Sequence, residues 1–257
     1  MNEKKFNKWF SLFILIGMAV AVTCATALKL VNADGTARTL LLVSAFGALM
    51  GVLSAVCSAN GKIITFLFGL LDVSVYGAVC FFNWRNGGPG LGNALLHFLY
   101  FVPMQFVGFA QWRRRGRNKA GSVKARRLKP RGALLFTLSF FAATIIVYFV
   151  LLQFDRSGAE TFLRWAVLLD ALPLVCNVLG QLLLSTAYAE QWIFWIGVNV
   201  FSIAMWSVTL AGHPDSSYAV IYIIKYCFYL ANSSNGLRIW LKLSKDSDAV
   251  TEVLENE

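Results

Sequence analysis

"GFAQWRR", residues 108–114, has an echo 128 residues later in "GLRIWLK", residues 236–242. Each places a glycine four residues before a tryptophan and a base two residues after it: Gly108, Trp112 and Arg114, then Gly236, Trp240 and Lys242. The same shift lays Phe66, Gly69 and Ser74 on Phe194, Gly197 and Ser202, and with one residue of slippage Gly51 falls on Gly180. A chain that repeats at half its length is built from two like units. What the units are depends on the solvent around them.

That solvent is lipid. The 257 residues are 58% hydrophobic and 14% charged, where a soluble domain carries about 25% charged residues. Mean hydropathy is +0.62. Windows of about 20 apolar residues, each long enough to cross a bilayer core, occur at 9–30, 39–59, 62–83, 91–112, 132–153, 161–187, 190–210 and 216–241. Together they predict an all-α integral membrane protein of about eight helices. The start, "MNEKKFNKWF", imitates a secretory signal, but the apolar run from Trp9 to Leu28 is too long and "CATALKL" is a weak cleavage site, so it reads as a retained helix. Cys24, Cys57, Cys80, Cys176 and Cys227 lie in apolar stretches without metal-binding spacing and act as small hydrophobes.

Lysine and arginine set the orientation. With the N-terminus inside, the inside regions hold 17 of them, including ten in the loop "RRRGRNKAGSVKARRLKPR" (113–131), and the outside regions hold five, leaving Lys225 within a helix. Both termini are then cytoplasmic, as an even number of spans requires. The basic loop supplies much of the +10 net charge. Its nearest partner is the anionic surface of the lipid bilayer, so it is read as a topological anchor with no nucleic-acid role.

The repeat now has a plan. An extra N-terminal helix (1–30) precedes a first three-helix repeat (39–112). The basic loop and a linker helix (113–153) lead to a second repeat (161–241) and a cytoplasmic tail (242–257). One linker helix gives both repeats the same direction across the membrane. Parallel repeats with a site between them are a transporter arrangement.

Polar residues inside spans are costly against lipid and mark the path. On the seventh segment Trp192, Trp195, Asn199, Ser202 and Trp206 share one stripe, spaced 3, 4, 3 and 4 residues apart. Asn199 stands about 13 Å along the axis from Glu190, near the bilayer centre. The positions aligned with that stripe in the first repeat, Ile64, Leu67, Leu71, Ser74 and Ala78, carry little chemistry. Three further stripes are Asp170, Pro173, Asn177 and Gln181 on the sixth segment; Thr65, Gly69, Asp72 and Tyr76 on the third; and Phe101, Gln105, Gly108 and Trp112 on the fourth. Thr65 and Gly69 read as packing positions. Asp170 is a candidate to neutralise Lys225 at a similar depth, and Asp72, with no partner at its own depth, is the candidate counter-charge for a ligand.

Amides and a serine match hydroxyls or a carboxamide, and indole faces stack flat rings and attract cations. A flat, cationic, hydroxylated small molecule satisfies this set. With His97 and His213 as the two histidines, and no P-loop, metal motif or paired acid–base carboxylates, the chain is expected to be no enzyme and to carry no cofactor or metal.

Asn177 and Gln181 as N-x-x-x-Q, Glu190 to Asn199 as E-x-W-x-x-W-x-x-x-N, and "PMQFVGFAQW" (103–112) give the chain a specific likeness. It resembles the PnuC family of vitamin B3 precursor transporters over nearly its whole length, most weakly in the first helix and the basic loop. The 3+1+3 plan is shared more widely with SWEET-like transporters. The resemblance implies nicotinamide riboside as substrate, moved by facilitated diffusion and trapped by phosphorylation in the cytoplasm. It also implies a homotrimer in the bacterial inner membrane. Under that reading Trp192 and Trp195 embrace the ring and Asn199 bonds a polar substituent. Gln105, Asn177 and Gln181 approach from facing helices, and Asp72 offsets the charge. Thiamine or riboflavin would suit similar groups, and a non-transporting membrane enzyme or assembly factor is the rival of another class.

Overall fold

A computed structural model describes residues 3–31, 35–85, 91–118, 121–154, 164–212 and 217–255. Its helices are α1 (Glu3–Leu30), α2 (Gly35–Ala59), α3 (Thr65–Arg85), α4 (Leu91–Leu96), α5 (Val102–Arg115), α6 (Pro130–Leu152), α7 (Trp165–Ser185), α8 (Gln191–Gly212) and α9 (Ser217–Glu255). Among the described residues, β-structure is limited to two isolated bridges. Among the described residues, seven spans are long and apolar enough to cross a membrane, from Lys5–Leu30 to Gln191–Gly212. The eighth expected span falls in α9, where Lys225 and the polar run Asn232 to Asn235 interrupt the apolar sequence.

The fourth expected helix is α4 and α5 joined by a π-helical turn, His97–Phe101. Proline explains it. Pro103 has no N–H for the carbonyl four residues before it, and its ring crowds that carbonyl. The chain widens instead, and the Val102 N–H bonds the His97 carbonyl five residues back.

The two tryptophans of the repeated motif make reciprocal bonds. Trp112 in α5 donates its indole N–H to the Leu184 carbonyl at the end of α7 (2.8 Å). Trp240 in α9 donates to the Ser58 carbonyl at the end of α2 (2.9 Å). Both rings are buried and packed 5.4 Å apart. Gly108 and Gly236 share a second role, each leaving room for one aromatic ring. A Cβ on Gly108 would stand 2.2 Å from Phe66, and one on Gly236 would stand 2.8 Å from Trp192. Trp192 follows Phe66 by 126 residues, so the structure corrects the sequence alignment of α3 with α8 by two positions. Residues facing Trp195, Asn199 and Ser202 across that correspondence are Gly69, Val73 and Tyr76.

The basic loop is more than an anchor. Its Val123 N–H donates to the Gly61 carbonyl (2.9 Å), and its Arg126 N–H donates to the Ala187 carbonyl (3.0 Å). Gly61 and Ala187 both hold left-handed backbone, at φ 65° and 62°, in the α2–α3 and α7–α8 turns. Arg126 also accepts from the Ala189 N–H (2.9 Å), and Glu190 receives Arg127 Nε (3.3 Å) and the Leu128 N–H (3.1 Å). Val123 and Ala125 then complete a buried cluster with Phe66, Trp112, Trp192 and Trp240. The loop straps two equivalent turns together and floors the bundle at its basic end.

Outside the six helices of this core lie α1 and α6. α1 fills the groove between α2 and α9, with Ile14 and Met18 fully buried beside Val52 and Phe228. At the basic end Glu3 bonds Lys242 (2.6 Å) and Arg238 (3.0 Å), and Arg238 also bonds Asn7. The Lys242 hydrogen bond, chiefly, holds the Glu3 carboxyl below its usual range. α6 lies against α7 and α8 through Tyr148 and Phe140, and turns Leu135, Phe141 and Ile146 outward, as a helix facing lipid does.

A six-helix cavity as candidate substrate site

A cavity of about 460 Å³ opens between α2, α3, α4–α5, α7, α8 and α9, and neither α1 nor α6 lines it. The seven residues singled out from the sequence, Asp72, Gln105, Asn177, Gln181, Trp192, Trp195 and Asn199, all lie on its wall. Of the remaining stripe residues, Gly69, Tyr76 and Phe101 also line it. Thr65 does not: it is buried and exchanges hydrogen bonds with Ser54, tying α3 to α2 (2.9 Å each way). Trp206 stacks flat on Tyr222, centroids 4.4 Å apart, away from the cavity wall.

Glycines seat the large side chains. A Cβ on Gly51 would meet the Asp72 carboxylate at 2.7 Å, one on Gly69 the Gln105 amide oxygen at 2.6 Å, and one on Gly180 the Trp195 ring at 3.3 Å. With Gly236 behind Trp192, four wall residues each lean on a glycine of a neighbouring helix. Helix approach at small residues thus fixes where the polar groups stand.

The amides share one arrangement. Asn199 donates its amide N–H groups to the Trp195 carbonyl (2.7 Å) and to Ser233 Oγ (3.1 Å). Asn177 donates to the Pro173 carbonyl (2.8 Å), Gln105 to the Phe101 carbonyl (3.4 Å), and Gln181 to Ser185 Oγ (3.2 Å). Ser185 passes the last bond on to the Met104 carbonyl (3.1 Å). In each case the nitrogen is engaged by the protein, and no protein donor to the oxygen occurs among the described residues, so the oxygen can accept from a ligand. Four amide oxygens, a carboxylate and two indole faces make the wall rich in acceptors. On the described cavity wall, two buried polar atoms, Trp192 Nε1 and Ser58 Oγ, have no hydrogen-bond partner in the protein. A donor and a hydroxyl are therefore also on offer.

Sequence reasoning missed Ser58, Asn232, Ser233 and Lys225, all on the wall. Ser233 had a signal, since it stands 128 residues after Gln105 in the same repeat that aligned the tryptophans. The charge pairing is a correction. Asp170 is exposed on α7 and lies off the cavity wall, so it does not neutralise Lys225. Asp72 does have a partner: Lys225 shares the cavity and acts on it electrostatically. The lysine stem is long enough to carry its charge to a depth its Cα does not share.

Residues 41–242 match the family described as nicotinamide mononucleotide transporter. The chain belongs to that family. Over 207 residues it is 34% identical to the nicotinamide riboside transporter PnuC of Neisseria mucosa, covering 79% of this chain and 73% of that one. Over 197 residues it is 32% identical to the nicotinamide riboside transporter PnuC of Haemophilus influenzae, covering 76% and 77%. The fold is similar to the crystal structure of the vitamin B3 transporter PnuC, with a TM-score of 0.65 at 30% identity over 93% of both chains. Membership of this family makes the chain a multi-pass membrane transporter.

Proposed function

We propose that the chain takes up nicotinamide riboside across the bacterial inner membrane through the six-helix cavity. The observation that carries this is the acceptor-rich wall. Four amide oxygens and Asp72 face two indoles, a set complementary to a flat pyridinium ring bearing ribose hydroxyls and a carboxamide. Trp192 and Trp195 stack the ring; Asn199, Asn177, Gln181 and Gln105 accept from its hydroxyl and amide donors; Asp72 offsets its charge. Relatives named for the same substrate support the choice.

The proposal includes the repeat plan, with 39–112 and 161–241 as parallel units around a linker, and the reciprocal tryptophan bonds support it. Both termini lie in the cytoplasm, because the basic loop, Lys62, Arg238 and Lys242 gather at one end of the bundle. Transport is facilitated diffusion, made one-way by cytoplasmic phosphorylation of the substrate, in a homotrimer without enzymatic activity of its own. The test is uptake of labelled nicotinamide riboside into liposomes, with thiamine and riboflavin as competitors. Uptake should stop at equal concentrations and resume when a riboside kinase and ATP are enclosed. Uptake abolished by equimolar thiamine or riboflavin would assign another vitamin.

A further inference from the structure

Lys225 is the feature of the cavity that a site for a cation does not explain. It lines the wall from α9, as Asp72 does from α3. Three tyrosine rings of its own helix surround the ammonium, Tyr222, Tyr226 and Tyr229, with centroids 5.8, 5.7 and 5.6 Å away. Lys29 of α1 adds a second positive charge nearby, 5.6 Å from the centroid of Tyr222. Tyr76 and His97, 4.7 Å apart, also line the cavity. A buried ammonium is expensive unless opposite charge and polarisable faces surround it. Here the Asp72 carboxylate lines the same cavity and three tyrosine faces lie within 6 Å of the ammonium.

We propose that Lys225 sets the affinity and specificity of the site by partly cancelling Asp72, so that a monocation is drawn in weakly enough to leave again. The inference rests on the nicotinamide riboside reading. A carrier must bind its substrate well enough to capture it and loosely enough to release it. Asp72 alone, shielded from water, would hold a cation too firmly for that. Lys225 alone would repel it. The pair leaves a site of nearly zero net charge whose preference for the flat ring comes from the indoles and amide oxygens. Lys225 is thus a specificity-setting residue that acts through Asp72.

Charge can be separated from shape by two probes, nicotinamide riboside and its reduced, uncharged dihydro form, which nearly share a shape. Calorimetric titration and liposome uptake would be run on the parent and on Lys225→Met, Lys225→Arg, Asp72→Asn and the double variant. Lys225→Met should bind the cationic riboside on the order of tenfold more tightly, from removal of a like charge a few ångströms beyond contact. Its turnover should fall, and its affinity for the uncharged ring should stay within about twofold of the parent. Lys225→Arg should keep the parent's ratio of the two affinities. Asp72→Asn should weaken the cation selectively, and the double variant should return near the parent.

An equal change for both probes in Lys225→Met would make Lys225 a packing residue and overturn the proposal. So would no change, or weaker binding of the cation. A parent protein that binds neither probe would instead refute the riboside reading itself.

Discussion

Gly236→Ala tests whether the cavity wall is positioned as the structure shows. The added methyl would stand 2.8 Å from Cδ2, Cε2 and Cε3 of Trp192, against the face of the ring. Carbon atoms attract at about 3.5 Å or beyond, so the indole must retreat by roughly 0.7 Å. It has little room. Trp192 is 3% exposed, its edge packs on Trp240 with centroids 6.4 Å apart, and its remaining free side is the cavity. Overpacking of this kind costs about 1–3 kcal/mol. Alanine recovers about 1 kcal/mol over glycine within a helix. The melting temperature should therefore fall by only a few degrees. Binding should suffer more, because the ring that stacks the ligand has moved. Stacking of a flat base on an aromatic side chain is worth about 1–3 kcal/mol, so partial loss predicts roughly tenfold weaker binding of nicotinamide riboside. Gly180→Ala is the control. Its methyl would meet Trp195 at 3.3 Å, a contact a slight shift relieves, and less than about threefold loss is expected. Adding Trp192→Phe to Gly236→Ala should recover part of the affinity by relieving the crowding. Calorimetric titration of each folded variant decides. Parent-like affinity in Gly236→Ala would mean that Trp192 is not held where the ligand binds.

Three further outcomes are expected. Trp195→Ala should weaken riboside binding about tenfold to a hundredfold, and Asn199→Leu comparably, whereas Trp206→Ala, off the cavity wall and stacked on Tyr222, should change it by less than about threefold. Equal losses in Trp195→Ala and Trp206→Ala would place the site elsewhere. Glu190→Ala should free the loop strap by removing the partner of Arg127 and of the Leu128 N–H, so trypsin should cut after Arg126 or Arg127 about fivefold faster in purified protein; an unchanged rate would show that the backbone bonds to Ala187 and Ala189 suffice. In intact cells a reagent confined to the outside should label Gly88→Cys and spare Arg117→Cys; the reverse pattern would invert the orientation assigned here.

The helical membrane fold was legible because lipid imposes a coarse rule, a run of about 20 apolar residues per crossing, and punctuation marks the ends. The glycine–tryptophan repeat was legible because both halves use it for the same job, docking the last helix of one half against the first helix of the other. The register of α3 against α8 was not. Phe66 precedes Gly108 by 42 residues and Trp192 precedes Gly236 by 44, so no single shift can align both pairs. An ungapped comparison must choose, and the glycine–tryptophan pair wins because it is chemically rarer than a phenylalanine in an apolar segment. The basic loop misled in another way. Charge explains where it lies, but Val123, Ala125 and two backbone N–H groups do the strapping, and these look ordinary in sequence.

The polar wall shows where one-dimensional depth fails. Asn177, Gln181, Asn199 and Gln105 were found because an amide in an apolar span has few uses other than hydrogen bonding inward. Their partners were harder to find. Depth can be counted at 1.5 Å per residue from a helix end, but the direction a residue faces is set by which helix packs beside it. Asp170 and Lys225 agree in depth, yet α7 turns Asp170 outward while α9 turns Lys225 to the cavity. Asp72 and Lys225 differ in depth when counted along the sequence, yet both side chains line one cavity, where a long lysine stem gives reach. Pairing buried charges from sequence therefore needs the helix neighbours first. Here those neighbours follow from the repeat itself: if α5 docks on α7, then α9 docks on α2, beside α3, and Lys225 is brought toward Asp72 rather than Asp170.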